Sequence, residues 1–427
     1  MTASNREPGA ADKDQPTLKD SIKTPSVGEY VQGYFKRISA GDLGPLPIIV
    51  GLIIIAVIFQ SLNSNYLTPR NFVNLIRQMA DITTIAYGIV FVLLIGEIDL
   101  SVSYVSAIAG AITVVGSVRG FPVPGIAEPV MLAWWQAIIF GLIVTTFIGL
   151  IQGSIFTFLG VPSFIVTLAG FLVWSGALLL ILDTGGTIRV PSESPIREIT
   201  NFFLPATWGW ILAATVSLVY AVVLGLGYRY RKQQNLATKP LPIIAMQILG
   251  VAALISLVVY ISNQDRGVPL IGVLLLLILA VLSFVANQTQ FGRYVYAVGG
   301  NEEAARRAGI NVRLIQVVCF MVAGLLAGMG GIVQVSRLGS ISTNAGGGDL
   351  LLNSIAAAVI GGTSLFGGRG TVSSALYGAL VIASLASGMA LLGWSAGRQF
   401  VVTGIVLILA VLLDSLSRRR QKSAGIA

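Results

Sequence analysis

Twelve apolar runs, each near the length that crosses a bilayer, constrain this chain more than any other feature. A hydrocarbon core of about 30 Å is spanned by about 20 helical residues. Runs approaching that length recur at about 46–62, 79–95, 101–118, 130–153, 163–182, 208–228, 241–262, 268–287, 314–336, 350–366, 371–392 and 399–415. In lipid every backbone N–H and C=O needs a partner within the protein, which leaves helices or closed barrels. The runs lack the polar–apolar alternation of a barrel strand. The chain is therefore predicted to be all-α, a polytopic membrane helical bundle of about 10–12 transmembrane helices. The runs at 79–95 and 350–366 are short enough to be broken or re-entrant.

Composition agrees. Hydrophobic residues make up 55% of the chain and charged ones 11%, against about 25% charged in a soluble domain. Lipid must be the solvent for most of the surface. Twelve charged residues lie at or before Asp42, in a stretch that reads as a disordered polar tail over residues 1–45. That tail has no apolar core of a cleaved signal peptide and is expected to stay in the cytosol. With the N-terminus inside, the even-numbered loops and both tails hold 19 of the 27 Lys and Arg residues. This imbalance follows the positive-inside rule, and both termini are expected in the cytosol.

The net charge of +9 is explained by basic residues flanking apolar spans, so no nucleic-acid partner is expected. There is no histidine, which excludes His-based catalysis and His metal ligation. The single cysteine, Cys319, sits inside an apolar run and reads as a small buried hydrophobe. No metal site, cofactor or catalytic residue is predicted.

Three segments interrupt the apolar pattern. The first is Gly96-Glu97-Ile98-Asp99-Leu100-Ser101-Val102-Ser103. Carboxylates between apolar runs are costly near bilayer depth and usually face a cavity or partner. Gly96 permits a helix break, and Asp99 or Ser101 can cap the helix that follows. An ordinary capped cytosolic turn would use the same residues. The second, Gly361 to Gly370, contains Thr363 and Ser364 among five glycines. No strand precedes it and no Lys-Ser or Lys-Thr follows, so it is not a nucleotide-binding loop. Its glycines suit close helix packing or an unwound stretch. The third, within a loop over about 293–313, is a short capped helix. Asn301 caps it, Glu302 and Glu303 suit its first turn, Ala304 and Ala305 its middle, Arg306 and Arg307 its last turn, and Gly309 ends it. Such a helix is a docking lever, although a solvated loop would also fit. Residues 99–103 and 369–373 also echo each other faintly, and about 208–262 reads as a two-span insertion between two halves.

Together these segments resemble the permease subunits of the ribose/xylose-type bacterial ABC importers. That family carries Gly-x-Ile-Asp-Leu-Ser-Val early. Its coupling pattern, Gly-Asn-Glu-x-Ala-Ala-Arg-x-x-Gly-Ile, matches Gly300 to Ile310, and its late Ile-Ala-Ala-x-x-Ile-Gly-Gly-Thr-Ser-Leu-x-Gly-Gly-x-Gly pattern matches Ile355 to Gly370. The similarity runs over 46–417, leaving a cytosolic tail at 418–427. Glu97 and the extra central spans look most like the D-xylose permeases. Asn353 stands where an acidic residue is usual, and Ser103 replaces a frequent glycine.

The resemblance implies a non-catalytic subunit of an ATP-driven importer. It implies a homodimer, a separate ABC ATPase subunit and a periplasmic or lipid-anchored sugar-binding protein, with surrounding membrane lipid. The substrate implied is a monosaccharide, D-xylose, with ribose or galactose as alternatives. Glu97, Asp99, Ser101, Ser103, Asn353, Thr363 and Ser364 are assigned to the pathway or its helix breaks. Asn301, Glu302, Glu303, Ala304, Ala305, Arg306 and Gly309 are assigned to coupling with the ATPase.

Three other classes compete. A proton- or sodium-driven transporter would place titratable groups mid-membrane, where this chain has almost none. An intramembrane enzyme needs a nucleophile–base pair or metal cluster, and a channel needs a filter-like repeat or charged ring.

Overall fold

The computed structural model describes residues 26–39, 44, 46–122, 124–125, 127–182 and 186–423. Its helices are α1 (Val27–Ser39), α2 (Leu46–Leu62), α3 (Pro69–Gln78), α4 (Ala80–Leu94), α5 (Val102–Val118), α6 (Trp134–Leu159), α7 (Ser163–Leu182), α8 (Pro195–Asn201) and α9 (Ala206–Gln233). They continue with α10 (Leu241–Asn263), α11 (Leu270–Gln288), α12 (Gln290–Gly300), α13 (Glu302–Arg307), α14 (Val312–Leu338), α15 (Gly348–Ile360), α16 (Val372–Leu391) and α17 (Ala396–Ser423). The strands β1 (Thr187–Arg189), β2 (Phe203–Leu204), β3 (Val268–Pro269) and β4 (Ser340–Ser342) form two short antiparallel ribbons, β1 with β4 and β2 with β3.

The polytopic helical bundle is borne out, and each apolar run holds one helix. Among the described residues, α6, α7, α9, α10, α11, α14 and α16 are long and apolar enough to cross a membrane alone. The pair α3 and α4 passes together, bent by 41°. The remaining runs form the shorter apolar helices α2, α5, α15 and α17. Interruption is thus more extensive than the two short runs indicate. Within the stretch read as a polar tail, Val27–Ser39 is helical. Its start is a reciprocal cap: Glu29 N–H donates to Ser26 Oγ at 3.2 Å and Ser26 N–H to Glu29 Oε2 at 2.7 Å.

The chain divides into two compact units. One comprises residues 1–42 and 210–258, which takes in α1 and most of α9 and α10. The other, residues 43–209 and 259–427, holds the three motifs. At its centre α14 packs on α4, α5 and α6. Glycines make this approach backbone-to-backbone. A Cβ on Gly331 would collide with the Ser106 carbonyl of α5, and one on Gly324 with the Thr145 carbonyl of α6. Between apolar helices that lipid solvates equally well, such close packing supplies the association energy. α15 and α16 pair in the same way, Gly378 lying on the Ala357 carbonyl.

Two of the short helices, α4 and α5, are buried. Nearly every residue of α4 and α5 is enclosed by protein. Their ends can therefore stop at depth, because neighbouring protein groups meet the polar backbone.

Loops sort into two sets, as alternating crossings require. Segments that follow odd-numbered runs meet one another. Asn63 Nδ2 donates to the Leu391 carbonyl at 3.0 Å, Arg77 Nε to the Thr200 carbonyl at 2.9 Å, and both ribbons join such segments. Segments that follow even-numbered runs meet likewise: Gly368 N–H donates to the Leu94 carbonyl at 2.8 Å, and the Arg313 guanidinium lies 5.8 Å from the centroid of the Phe158 ring.

Candidate functional site

One device recurs in all three motifs. α4 ends with Gly96 at φ +83°, where Gly96 N–H bonds the Leu93 carbonyl at 2.9 Å and Glu97 N–H the Val92 carbonyl at 3.1 Å. α13 ends with Gly309, also at φ +83°, and the matching bonds run from Gly309 to Arg306 at 3.0 Å and Ile310 to Ala305 at 3.1 Å. α15 ends with Gly362 at φ +104°, bonded to Val359 at 2.9 Å, and Thr363 to Ala358 at 3.0 Å. These are Schellman closures, which need a left-handed residue that glycine adopts without strain. Each satisfies two terminal carbonyls and so lets a helix stop without leaving them unpaired.

After Gly96, with Ile98 exposed and Glu97 half-buried, the chain turns inward at Asp99. Asp99 is 6% exposed and Ser101 fully enclosed. Asp99 Oδ1 accepts from Ser101 N–H at 2.8 Å and from Ser101 Oγ at 2.7 Å. The carboxylate thus caps the start of α5 from two residues upstream, where it meets the positive end of the helix. The Ser101 hydroxyl does not cap the helix itself. It also lies 3.0 Å from Gln152 Oε1 of α6. Glu97 accepts a hydrogen bond from Ser163 Oγ at the start of α7, and Thr167 Oγ1 donates to the Ile98 carbonyl at 3.3 Å. Ser103, in the first turn of α5, is buried with an unpaired hydroxyl. Asp99→Ala is expected to lower uptake several-fold, because the Ser101 N–H and hydroxyl lose the carboxylate oxygen to which both donate; normal uptake at normal membrane levels would show that the carboxylate is dispensable.

The loop from Gly361 to Thr371 folds on itself. Ser364 N–H bonds the Arg369 carbonyl at 2.9 Å, Phe366 N–H the Ser364 hydroxyl at 3.0 Å, and the Thr363 side chain packs on Gly370. The Thr363 hydroxyl is buried and unpaired. Asn353 is not brought to this loop. It sits half-buried in α15, seven positions before Ile360, or about 10 Å along the axis.

α13 is built as its sequence indicates. Asn301 Oδ1 accepts from Ala304 N–H at 2.9 Å, and Glu302–Arg306 at 2.7 Å and Glu303–Arg307 at 3.1 Å bridge successive turns. Ala305 is buried and the rest of the helix is exposed. Such exposed pairs add little stability, but they hold a charged, pre-formed surface.

The three segments, distant in sequence, meet. Leu94 at the end of α4 accepts from Gly368, and Gly299 at the end of α12 lies on that same bond: a Cβ there would strike the Leu94 carbonyl and the Gly368 nitrogen. Gly367 rests on Gly96 and on the Gly299 carbonyl. Tyr296 Oη donates to the Gly370 carbonyl at 2.9 Å. Burial pushes this phenol above its ordinary pKa, so it remains a donor. Glu302 lies close enough to Glu97 for their charges to interact. Two helix breaks and the root of the exposed α13 therefore share one backbone cluster.

Sequence reasoning missed two sets of residues here. Gln152 is one amide within an apolar run, and nothing marked it. Asp81 and Arg337 form an ion pair at 2.7 Å between α4 and α14, with the Asp81 side chain 1% exposed. A carboxylate inside a predicted span was the available signal. The groove of about 340 Å³ between α5, α6 and α7, lined by residues such as Ile112, Phe147 and Ile151, offers a hydroxylated solute almost no polar partner.

A bundle of helices long and apolar enough to cross a bilayer defines a polytopic membrane protein. Residues 71–411 match the family described as the permease component of branched-chain amino acid transport systems, and the chain belongs to this permease family. It is 36% identical to the xylose transport system permease protein of Escherichia coli, over 91% of this chain and 96% of that protein. It is 36% identical to the corresponding protein of Haemophilus influenzae, over 88% and 98%. It is 35% identical to the ribose import permease protein of Bacillus subtilis, over 90% and 94%. No solved structure matches the chain. The resemblance drawn from the three motifs is thereby borne out.

Proposed function

We propose that the chain forms the membrane route of an ATP-driven importer for a neutral monosaccharide, D-xylose before ribose or galactose. The family description names amino acids, but relatives that match nearly end to end are named for pentoses. A polyol needs hydrogen-bonding groups through hydrocarbon but no fixed counter-charges. In this reading Glu97, Asp99, Ser101, Ser103, Thr363 and Ser364 belong to the breaks that open along the route, with Asn353 further along α15. A separate ABC ATPase subunit docks on Asn301, Glu302, Glu303, Ala304, Arg306 and the Gly309 end of α13, whose buried Ala305 anchors the helix. Two copies of the chain surround the route, both termini lie in the cytosol, and a periplasmic or lipid-anchored binding protein delivers the sugar.

The observation that carries this reading is the shared cluster of Leu94, Gly96, Gly299, Gly367 and Gly368. Force on α13 reaches both breaks through backbone contacts, with no flexible side chain in between. Coupling still requires that nucleotide and sugar each favour one state over the other.

The test is uptake of labelled D-xylose by cells lacking their own pentose permeases and supplied with this chain and its ATPase subunit. Uptake competed by D-xylose more strongly than by ribose, galactose or leucine supports the assignment; leucine as the better competitor overturns it. Glu303→Lys reverses the charge at the bridge to Arg307 and is expected to lower uptake at least about tenfold, or about 1.4 kcal/mol in rate terms, with unchanged membrane insertion. Wild-type uptake by this variant would remove α13 from coupling. Asp99 is the group on which a proton-driven alternative would rest, and uptake abolished by a protonophore at constant ATP would favour that alternative.

A further inference from the structure

We infer that Gln152 and Trp174 are positioning residues, joined to Ser101 and Asp99 in one hydrogen-bonded chain that ties the α4–α5 break to α6 and α7. The inference rests on the proposal that this break serves translocation.

The starting point is a donor count. Ser101 Oγ lies 2.7 Å from Asp99 Oδ1 and 3.0 Å from Gln152 Oε1. A hydroxyl has one proton to give, so it cannot serve both acceptors. On the far side of the same amide, Gln152 Nε2 is buried without a partner. So is Trp174 Nε1. Both atoms border Gly170 of α7, where an added Cβ would collide with Gln152 Nε2 and lie 3.3 Å from Trp174 Nε1. As drawn, the network has one excess acceptor at Ser101 and two stranded donors beside Gly170. A buried unpaired donor costs about 1–3 kcal/mol.

Turning the Gln152 amide end for end removes these conflicts together. Amide nitrogen and oxygen are distinguished by their bonding, so the bonding decides the orientation. The NH2 then donates to Ser101 Oγ, and Ser101 Oγ–H donates to Asp99. The amide oxygen then takes the place beside Gly170 that the indole N–H of Trp174 also borders. Every group in the chain has a donor-to-acceptor direction, which runs from α7 through α6 to the break. Gly170 is the residue that makes room for it. Glu97 is held separately by Ser163 at the start of α7, so α7 would grip the break at two levels.

This chain is specific in a testable way, because glutamic acid is isosteric with glutamine but donates only when protonated. Asp99 is the titratable group facing position 152 on the break. Around α6 at this level, Gly170 and Trp174 of α7 carry no titratable group, nor do Val317 and Phe320 of α14, on which the adjacent Gly153 rests. In Gln152→Glu a neutral carboxyl can give its proton to Ser101. An ionised one cannot, and it repels Asp99. The variant's activity should therefore be present at low pH and be lost as pH rises and the new carboxyl ionises.

The experiment uses the complete transport system, with ATPase subunit and binding protein, in proteoliposomes, and reads ATP-driven D-xylose uptake from pH 6 to 9 as a ratio to wild type. Gln152→Glu is expected to fall at least about tenfold relative to wild type between these limits, with the higher ratio at the acid end. A single proton permits up to about tenfold per pH unit. Trp174→Phe, which keeps the ring and removes the N–H, is expected to lose several-fold with a ratio independent of pH. A Gln152→Glu ratio that is flat with pH overturns the inference, as does full activity in Trp174→Phe. Should Gln152→Glu fail to insert, Trp174→Phe alone decides. Absence of ATP-driven xylose uptake in wild type would instead refute the underlying transport reading.

Discussion

Gly299→Val is expected to abolish sugar accumulation while ATP hydrolysis continues. A Cβ at this position enters the bond between Gly368 N–H and the Leu94 carbonyl, and both neighbours are backbone. Neither can swing aside, so α12 must separate from α4 and from the glycine loop. Overpacking of this kind costs about 1–3 kcal/mol, and the broken hydrogen bond adds about 1 kcal/mol. The helix α13 itself is untouched, because its cap and bridges begin at Asn301. The ATPase subunit should therefore bind and turn over, but its stroke should no longer reach the breaks. Gly300→Ala is the control: a Cβ there meets nothing within 4 Å. Transport and hydrolysis measured together in proteoliposomes check both. Equal transport in the two variants would mean that the cluster does not transmit force.

The second large effect concerns folding. Arg337→Ala leaves Asp81 enclosed, 1% exposed, without its partner. Removing one member of a buried pair destabilises by about 3–5 kcal/mol, a large part of any protein's margin. The melting temperature of the detergent-solubilised protein should fall accordingly. Asp81→Asn combined with Arg337→Gln removes both charges and is expected to recover most of the loss. A double variant no better than Arg337→Ala would show that position 337 matters for packing and not for charge.

What was legible in the sequence was whatever lipid or local hydrogen bonding dictates. Apolar length alone gave every one of the long spans. The helix stops at Gly96, Gly309 and Gly362 follow from local chain geometry, as does the Asn301 cap. α3 was overlooked because Arg70, Asn71, Asn74 and Arg77 interrupt the apolar pattern, although Thr68 followed by Pro69 is a helix start, and Thr68 Oγ1 does accept from Asn71 N–H.

Contacts between distant segments were not legible. Gly299 and Gly300 are adjacent and chemically identical, yet only the first lies against two other segments. Asp81 and Arg337 are 256 positions apart, and Arg337 read as one of several basic residues at a span end. Gln152 lay hidden in a run whose polar members are few. The convergence of three motifs is a property of packing between the ends of α4 and α12 and the loop before α16, which no local pattern encodes.

The most direct test of the central claim is the accumulation of D-xylose against its gradient in proteoliposomes, measured alongside ATP consumed. The proposed function predicts accumulation only with ATP, the ATPase subunit and an intact Gly299 contact, at a fixed ratio of sugar to nucleotide. Accumulation without nucleotide or without the ATPase subunit would contradict it.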